Sequence, residues 1–165
     1  MNLKETSEKL RTSVKAQLST YNDLLQKALN EEAAAIETLQ SKECETDHTE
    51  NSVYQKAHDA YMKAQADISR FSTRRDLLKR FNYDYIPSKN ITINTTVNFE
   101  LMDYTGTFPQ EYTMLVVPAG LGNAKRNLLD VSSPVGKAIY KHIAGDIVPY
   151  TSLAGNKRIR IKEIY

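Results

Sequence analysis

All six glycines and all five prolines of this 165-residue chain lie after Phe81, so the first half contains no residue that interrupts a helix. In that half, apolar or small side chains recur at nearly alternating steps of three and four residues. One run occupies positions 14, 18, 21, 25, 28, 35 and 39, and a second occupies positions 53, 57, 60, 64, 68, 71 and 78. This spacing is typical of amphipathic helices that share a buried seam in a coiled coil. Glu32 is the one charged residue that intrudes into the first run.

The connection between the two runs is limited to about residues 42–47, which leaves room only for the turn of an antiparallel helical hairpin. Each arm of roughly 30 residues would be about 45 Å long. Small residues at positions 28, 33, 34, 35, 57, 60 and 64 would let the arms approach closely near the tip. We therefore predict an antiparallel two-helix coiled-coil hairpin over residues 1–81, with an acidic tip at residues 43–50.

The second half of the chain has a different composition, with β-branched residues, glycines and prolines in place of the helical pattern. Four segments are typical of short strands, at residues 91–101, 111–117, 146–150 and 156–164. Residues 133–143, SPVGKAIYKHI, favour a helix with Ser133 as its N-cap and Pro134 at its first position. We predict a small α+β domain over residues 88–165, which makes the whole chain an α+β protein.

Composition excludes several classes of protein. Charged residues make up 25% and hydrophobic residues 41% of the chain, as in globular rather than disordered proteins. The net charge of +2 is too small to indicate a nucleic acid or a membrane as partner, and no apolar run approaches the roughly 20 residues of a membrane span. Cys44 is the single cysteine, which fits a reducing compartment. We expect a cytoplasmic protein with no membrane partner.

The acidic tip has two interpretations. Asp47 and Glu50 are three residues apart at the expected start of the second helix, which is the spacing of a capping box. The same spacing brings both carboxylates to one face of the helix, where their oxygens are the hard ligands that Mg²⁺ prefers. Spacing alone favours capping, and Asp47 has enough carboxylate oxygens for both roles.

Two stretches of the chain resemble the bacterial Gre factors, a family that stimulates transcript cleavage by RNA polymerase. Residues 47–54, Asp-His-Thr-Glu-Asn-Ser-Val-Tyr, resemble the family's tip signature of Asp, two residues, Glu-Asn, two residues and Tyr. Residues 133–139, followed by Gly145-Asp146 and a glycine turn near residue 155, resemble the signature of the family's globular domain. The two motifs occur in the order of the family and on the expected elements, and together they favour a metal role for the tip over capping alone.

The resemblance implies an accessory factor rather than an enzyme in its own right. The hairpin would enter the secondary channel of RNA polymerase, and a domain similar to FKBP-type isomerase folds, without isomerase activity, would dock on the channel rim. Ser132, Ser133 and Pro134 would contact that rim.

The resemblance also implies roles at the tip. Asp47 and Glu50 would help to hold a second Mg²⁺ jointly with the polymerase and to position the attacking water, and the isolated protein would bind no metal tightly. The reaction would release the 3′ end of the nascent RNA. Four basic or titratable side chains would face this RNA: Lys42, Lys56, His58 and Lys63.

Two alternatives remain open at the level of sequence. An inhibitory homologue would occupy the same channel without promoting cleavage, and a coiled-coil interaction module would have no relation to polymerase. Binding to core polymerase would distinguish a Gre-like factor, whether it promotes cleavage or inhibits, from an unrelated coiled-coil module. A cleavage assay would then distinguish the inhibitory homologue from a factor that promotes cleavage.

Overall fold

The computed structural model describes residues 2–41, 52–105, 107, 109–152 and 155–165. Within these ranges the chain divides into two compact units, one of residues 16–79 and one that combines residues 1–15 with residues 80–165. The helices and strands, in chain order, are α1 (Leu3–Leu39), α2 (Ser52–Arg80), β1 (Thr96–Asp103), β2 (Gln110–Val117), β3 (Leu128–Asp130), α3 (Pro134–Ile139), β4 (Ile147–Ser152) and β5 (Gly155–Ile164). None of the helices in these ranges has the length and hydropathy needed to cross a bilayer.

Helices α1 and α2 pack as an antiparallel hairpin in the unit of residues 16–79. The ring of Tyr21, early in α1, lies 6.2 Å from the ring of Phe71, late in α2. Farther along, the side-chain amide of Gln65 donates a hydrogen bond to the carboxylate of Glu32. The charged residue in the first seam is thus accommodated by a polar partner on the facing helix. The predicted helical hairpin is confirmed.

Small side chains contribute to the buried part of the helical hairpin. Four alanines are buried there, two from each helix: Ala28, Ala35, Ala57 and Ala64. Two other positions of the expected seam, Val53 and Ala60, are exposed.

The five strands form one mixed sheet in the order β3-β2-β1-β5-β4. The central strand β1 pairs antiparallel with β2 and β5, β4 pairs antiparallel with β5, and β3 runs parallel to β2. One face of the sheet packs with α3 around a hydrophobic cluster of Ile91, Val97, Phe99, Met114, Val116, Leu129, Ile139, Val148, Ile159 and Ile161. A helical hairpin followed by this sheet confirms the α+β class, whereas similarity to FKBP-type folds stays a prediction.

The predicted elements of this unit differ from the observed ones at three places. The strand expected from residue 91 begins at Thr96, because Asn94 has a left-handed backbone with φ 74°. The helix expected through residue 143 ends at Ile139, because Tyr140 is extended and Lys141 has φ 67°. Strand β3 was not predicted, since three residues are too few for a recognisable alternation.

The start of α1 belongs to the sheet unit. The Thr96 hydroxyl donates to the Ser7 hydroxyl at 2.8 Å, and both residues are buried. Arg11 donates from Nε to Asn94 Oδ1 at 3.0 Å and from a terminal nitrogen to the Asn94 carbonyl at 2.9 Å. Residues 1–15 are therefore part of the sheet unit. Independent folding of residues 88–165 stays a prediction.

Candidate functional site

The tip residues that the sequence singles out lie outside the described residues. This applies to Asp47 and Glu50, and also to Lys42. Helix α1 ends at Leu39 and α2 begins at Ser52, so the motif of residues 47–54 spans the connection and the first turn of α2. The roles of these three side chains stay predictions.

A groove of about 510 Å³ lies between α1 and α2 next to this connection. Its floor is formed by small side chains, including Ala35 and Ala57, which leave space between the helices. Lys56 and Lys63, about two helical turns apart on α2, both line the groove. Two of the four side chains expected to face RNA are therefore on one face of the hairpin.

His58 has a different environment from the two lysines. Its ring lies 6.1 Å from the ring of Tyr54, at an interplanar angle of 22°. Its Nδ1 lies 3.9 Å from the carboxylate of Asp59. The two lysines line the groove, whereas His58 lies outside its lining and contacts its own helix.

The second candidate region is the start of α3. Ser133 Oγ accepts a hydrogen bond from the Gly136 amide at 3.0 Å and donates to the Asp130 carbonyl at 2.7 Å. Pro134 follows in the first turn, where the missing amide hydrogen has no cost. The predicted N-cap and helix start are confirmed. Ser132 and Pro134 are exposed.

Asp130 organises this region, and the sequence analysis did not identify it. Its carboxylate accepts hydrogen bonds from the Gly120 amide at 2.8 Å, the Ser132 amide at 2.7 Å and the Ser132 hydroxyl at 2.6 Å. Partial burial alone would raise the pKa of Asp130, but the hydrogen bonds from Ser132 and from the amides of Gly120 and Gly122 outweigh burial and lower it. One carboxylate thus joins the loop of residues 118–122 to the start of α3.

Two glycines allow this close packing around Asp130. A Cβ atom on Gly136 would lie 2.1 Å from the Asp130 carbonyl oxygen, and one on Gly122 would lie 2.5 Å from the Asp130 Cβ. Neither distance is compatible with a side chain. In the sequence, Gly122 and Gly136 stand on either side of Asp130 at a distance of several residues. This spacing predicts no contact, because only the fold brings the three segments together.

An apolar cavity of about 320 Å³ opens beside the start of α3. Ser133 and Pro134 contribute to its edge, while Ser132 instead bonds to Asp130. Its apolar lining comes from three strands and α3: Phe99, Leu101, Tyr112, Met114, Leu129 and Val135. A partner side chain that entered this cavity would contact two of the three residues that the sequence assigns to docking.

Substitution of Asp130 by Asn is expected to lower the free energy of unfolding by about 1–3 kcal/mol, because the amide NH₂ cannot accept one set of these hydrogen bonds. The lowered pKa makes the contribution of the carboxylate fully present above its ordinary value of 3.8. That contribution is lost as the pH falls through the lower pKa of the folded state. Urea unfolding of both proteins at a series of pH values measures the difference, which should shrink in acid.

Asp84→Asn is the matched control for Asp130→Asn, since Asp84 is exposed in the same unit. An equal effect of the two substitutions, or a difference that does not diminish in acid, would contradict the assigned role of Asp130.

Comparison with solved structures finds limited similarity to Gre-related proteins. The GreA factor homolog 1 (Gfh1) protein of Thermus thermophilus is 19% identical, with a TM-score of 0.36 and coverage of 94% of either chain. Gfh1 of Thermus aquaticus is 21% identical, with a TM-score of 0.39 and coverage of 93% of this chain and 92% of that one. The elongation factor GreA/GreB from Nitrosomonas europaea is 23% identical, with a TM-score of 0.37 and coverage of 62% and 91%, respectively.

No protein-family model and no curated protein matches the sequence. At these identities and TM-scores, function has to be inferred from the residues of this chain.

Proposed function

We propose that the protein is a Gre-like transcription elongation factor that binds bacterial RNA polymerase through the secondary channel and stimulates cleavage of nascent RNA in backtracked complexes. The observation that carries the proposal is the position of the two sequence motifs. The motif of residues 47–54 spans the connection between two long helices and the first turn of α2, and Ser133-Pro134 begins α3 at the edge of an apolar cavity. The first motif is thus at the end of the helical hairpin, where it could enter a partner's active site, and the second is at an exposed helix start, where it could contact a partner.

The helical hairpin suits a role inside another protein's active site. In the helical unit, residues 16–39 of α1 and 52–79 of α2 are about 36 Å and 42 Å long. Arms of this length can carry a few side chains into a channel of a partner protein. The catalytic machinery then belongs to the polymerase, and this protein acts as an accessory factor.

Asp47 and Glu50 are the residues that we assign to the reaction. Their carboxylate oxygens are the hard donors that Mg²⁺ prefers, and two carboxylates are enough when a second protein supplies the remaining ligands. When bound jointly with the polymerase, this ion supplies electrostatic stabilisation of the phosphodiester that is cleaved. The two side chains would hold and orient their ligands, and one of them would accept a hydrogen bond from the attacking water.

Lys56 and Lys63 would contact the phosphates of the RNA 3′ end. Both residues line one groove on the same side of α2. The groove also contains Glu31, whose carboxylate lies 3.7 Å from Lys27 Nζ. An exposed basic pair of this kind would attract RNA without sequence preference.

Docking is assigned to the start of α3. We expect Ser133→Ala/Pro134→Ala to weaken binding to core RNA polymerase, because it alters the edge of the cavity. Loss of the N-cap hydrogen bond alone should cost about 1 kcal/mol of stability. Binding is measured by titration of labelled protein with core polymerase, and thermal unfolding is measured in parallel.

Pro149→Ala is the control for this docking test, since Pro149 is an exposed proline on β4 of the same unit. If the Ser133/Pro134 variant bound polymerase as tightly as the wild-type protein does, this segment would not be part of the interface. Failure of the wild-type protein to bind polymerase would overturn the proposed function itself.

A further inference from the structure

The turn that follows α3 contains a lysine in a backbone conformation that favours glycine. Tyr140 has φ −60° and ψ 133°, Lys141 has φ 67°, and the His142 amide donates to the Ile139 carbonyl at 3.1 Å. These are the features of a type II β-turn, in which the position of Lys141 is usually occupied by glycine. A side chain at this position brings its Cβ atom close to the following carbonyl oxygen, so Lys141 destabilises the turn.

Lys141 differs from the other left-handed residues of the protein. Among the described residues, three that are not glycine have a positive φ: Asn94, Asn127 and Lys141. Asparagine tolerates this conformation because its short polar side chain can form hydrogen bonds with nearby backbone groups. A lysine side chain offers no such compensation. Glycine would therefore stabilise the fold at position 141 more than lysine does.

The fold uses the backbone of Lys141 but not its charge. The Lys141 amide donates to the Ile91 carbonyl at 2.8 Å, and a glycine would form the same hydrogen bond. The side chain is exposed and forms no ion pair with any described residue. Its Nζ lies 6.0 Å from the centre of the Tyr140 ring, at the outer limit of a cation–π contact.

Asp146 is the acidic residue closest to Lys141 in sequence, and its carboxylate is already engaged. It accepts a hydrogen bond from the Ile143 amide at 3.0 Å and lies 2.9 Å from His142 Nδ1. The ammonium group of Lys141 is therefore available to an acidic group of a partner.

The position of Lys141 indicates which partner this is. Lys141 lies two residues beyond the end of α3, whose first residues are assigned to docking on RNA polymerase. A helix of six residues is only about 9 Å long. A protein that contacts Ser133 and Pro134 at one end of α3 is thus within reach of Lys141 at the other end.

We propose that Lys141 is an electrostatic docking residue whose ammonium group pairs with a carboxylate of RNA polymerase. The inference rests on the proposed function, in which polymerase contacts the start of α3. Unfavourable backbone conformations are concentrated at residues with a functional role, and Lys141 combines such a conformation with a charge that the fold does not use. A cation of this kind accelerates association and selects the partner.

The proposal is tested by Lys141→Gly, compared with Lys15→Gly. Lys15 is an exposed lysine within α1 in the same unit, so both variants lose one exposed positive charge and one side chain. The midpoint of thermal unfolding should rise by about 2–5 °C for Lys141→Gly, because glycine adopts the left-handed conformation without strain. It should fall for Lys15→Gly, because glycine disfavours a helix.

Binding is measured as the dissociation constant for core RNA polymerase at low and high salt. Lys141→Gly should bind roughly three- to tenfold more weakly than the wild type at low salt, with a smaller loss at high salt, because salt screens exposed charges. Lys15→Gly should bind nearly as the wild type does. Lys141→Arg keeps the charge and should also retain binding.

The outcomes separate this inference from the proposed function. If the wild type does not bind polymerase, the proposed function fails and the inference fails with it. If the wild type binds and Lys141→Gly binds equally well, or if Lys141→Arg loses binding, the charge of Lys141 does not dock. A lower unfolding midpoint for Lys141→Gly would show that the fold needs the side chain. If Lys141→Gly weakens binding to polymerase that carries nucleic acid but not to core polymerase, its partner is a phosphate. Each of these results overturns the inference and leaves polymerase binding intact.

Discussion

Asp47→Asn/Glu50→Gln is expected to abolish stimulated RNA cleavage while binding to RNA polymerase is retained. Loss of metal and water ligands should lower the cleavage rate by orders of magnitude, each factor of ten corresponding to about 1.4 kcal/mol of barrier. Both replacements keep the size of the side chain, and Asn retains most of the capping ability of Asp, so α2 should lose about 1 kcal/mol or less. The measurement is cleavage of labelled RNA in stalled, backtracked complexes at saturating protein.

The difference in magnitude separates the catalytic interpretation from capping. A double variant that accelerates cleavage as well as the wild type would leave Asp47 and Glu50 as helix caps. Competition against labelled wild-type protein confirms that the variant occupies the polymerase. If the wild-type protein binds but does not accelerate cleavage, the inhibitory alternative replaces the proposed activity.

Arg11→Ala is expected to lower the free energy of unfolding of the sheet unit by about 2–4 kcal/mol, from two hydrogen bonds of a charged group and from its aromatic contacts. The guanidinium carbon lies 5.2 Å from the Tyr85 ring and 6.0 Å from the Tyr165 ring, and these rings stack at 4.2 Å. The substitution would leave two oxygen atoms of buried Asn94 without their donor. Urea unfolding followed by circular dichroism gives the change.

Lys15→Ala is the control for Arg11→Ala, because Lys15 is an exposed cation on the same helix and in the same unit. Arg11→Lys should recover only part of the loss, since an ammonium group lacks the planar fork that reaches both oxygens of Asn94. A change no larger than that of Lys15→Ala would contradict the contribution assigned to Arg11.

Arg11 also bears on how the chain can be divided. Burial lowers the pKa of its guanidinium, while Tyr165 and Tyr85 act in the opposite direction. Such a side chain is accommodated because polar oxygens and aromatic faces surround it. A fragment of residues 88–165 would lack this arginine and the buried Leu10 and Val14. We therefore expect the fragment to be less stable than the same segment in the full chain.

Local rules determined the features that the sequence predicted correctly. The two long helices follow from the absence of glycine and proline and from the spacing of apolar residues, because an α-helix is specified by contacts within one or two turns. The start of α3 follows from Ser133-Pro134, because a cap and its target amide are three residues apart. The hairpin follows from the short connection between α1 and α2.

Only the tertiary structure decided the features that depend on distant residues. The strand that was expected from residue 91 begins only at Thr96, because Asn94 has a left-handed backbone. Arg11, 83 residues earlier, donates a hydrogen bond to the side chain of Asn94. Strand β3 forms because β2 offers a free edge next to it, and three residues alone have too little pattern to predict. The cavity beside α3 exists because the sheet brings Phe99, Tyr112 and Leu129 next to Val135 of α3. In each case the stabilising free energy comes from hydrogen bonds, packing or charge between segments that are far apart in the chain. A short-range sequence pattern cannot predict which distant segments will pair.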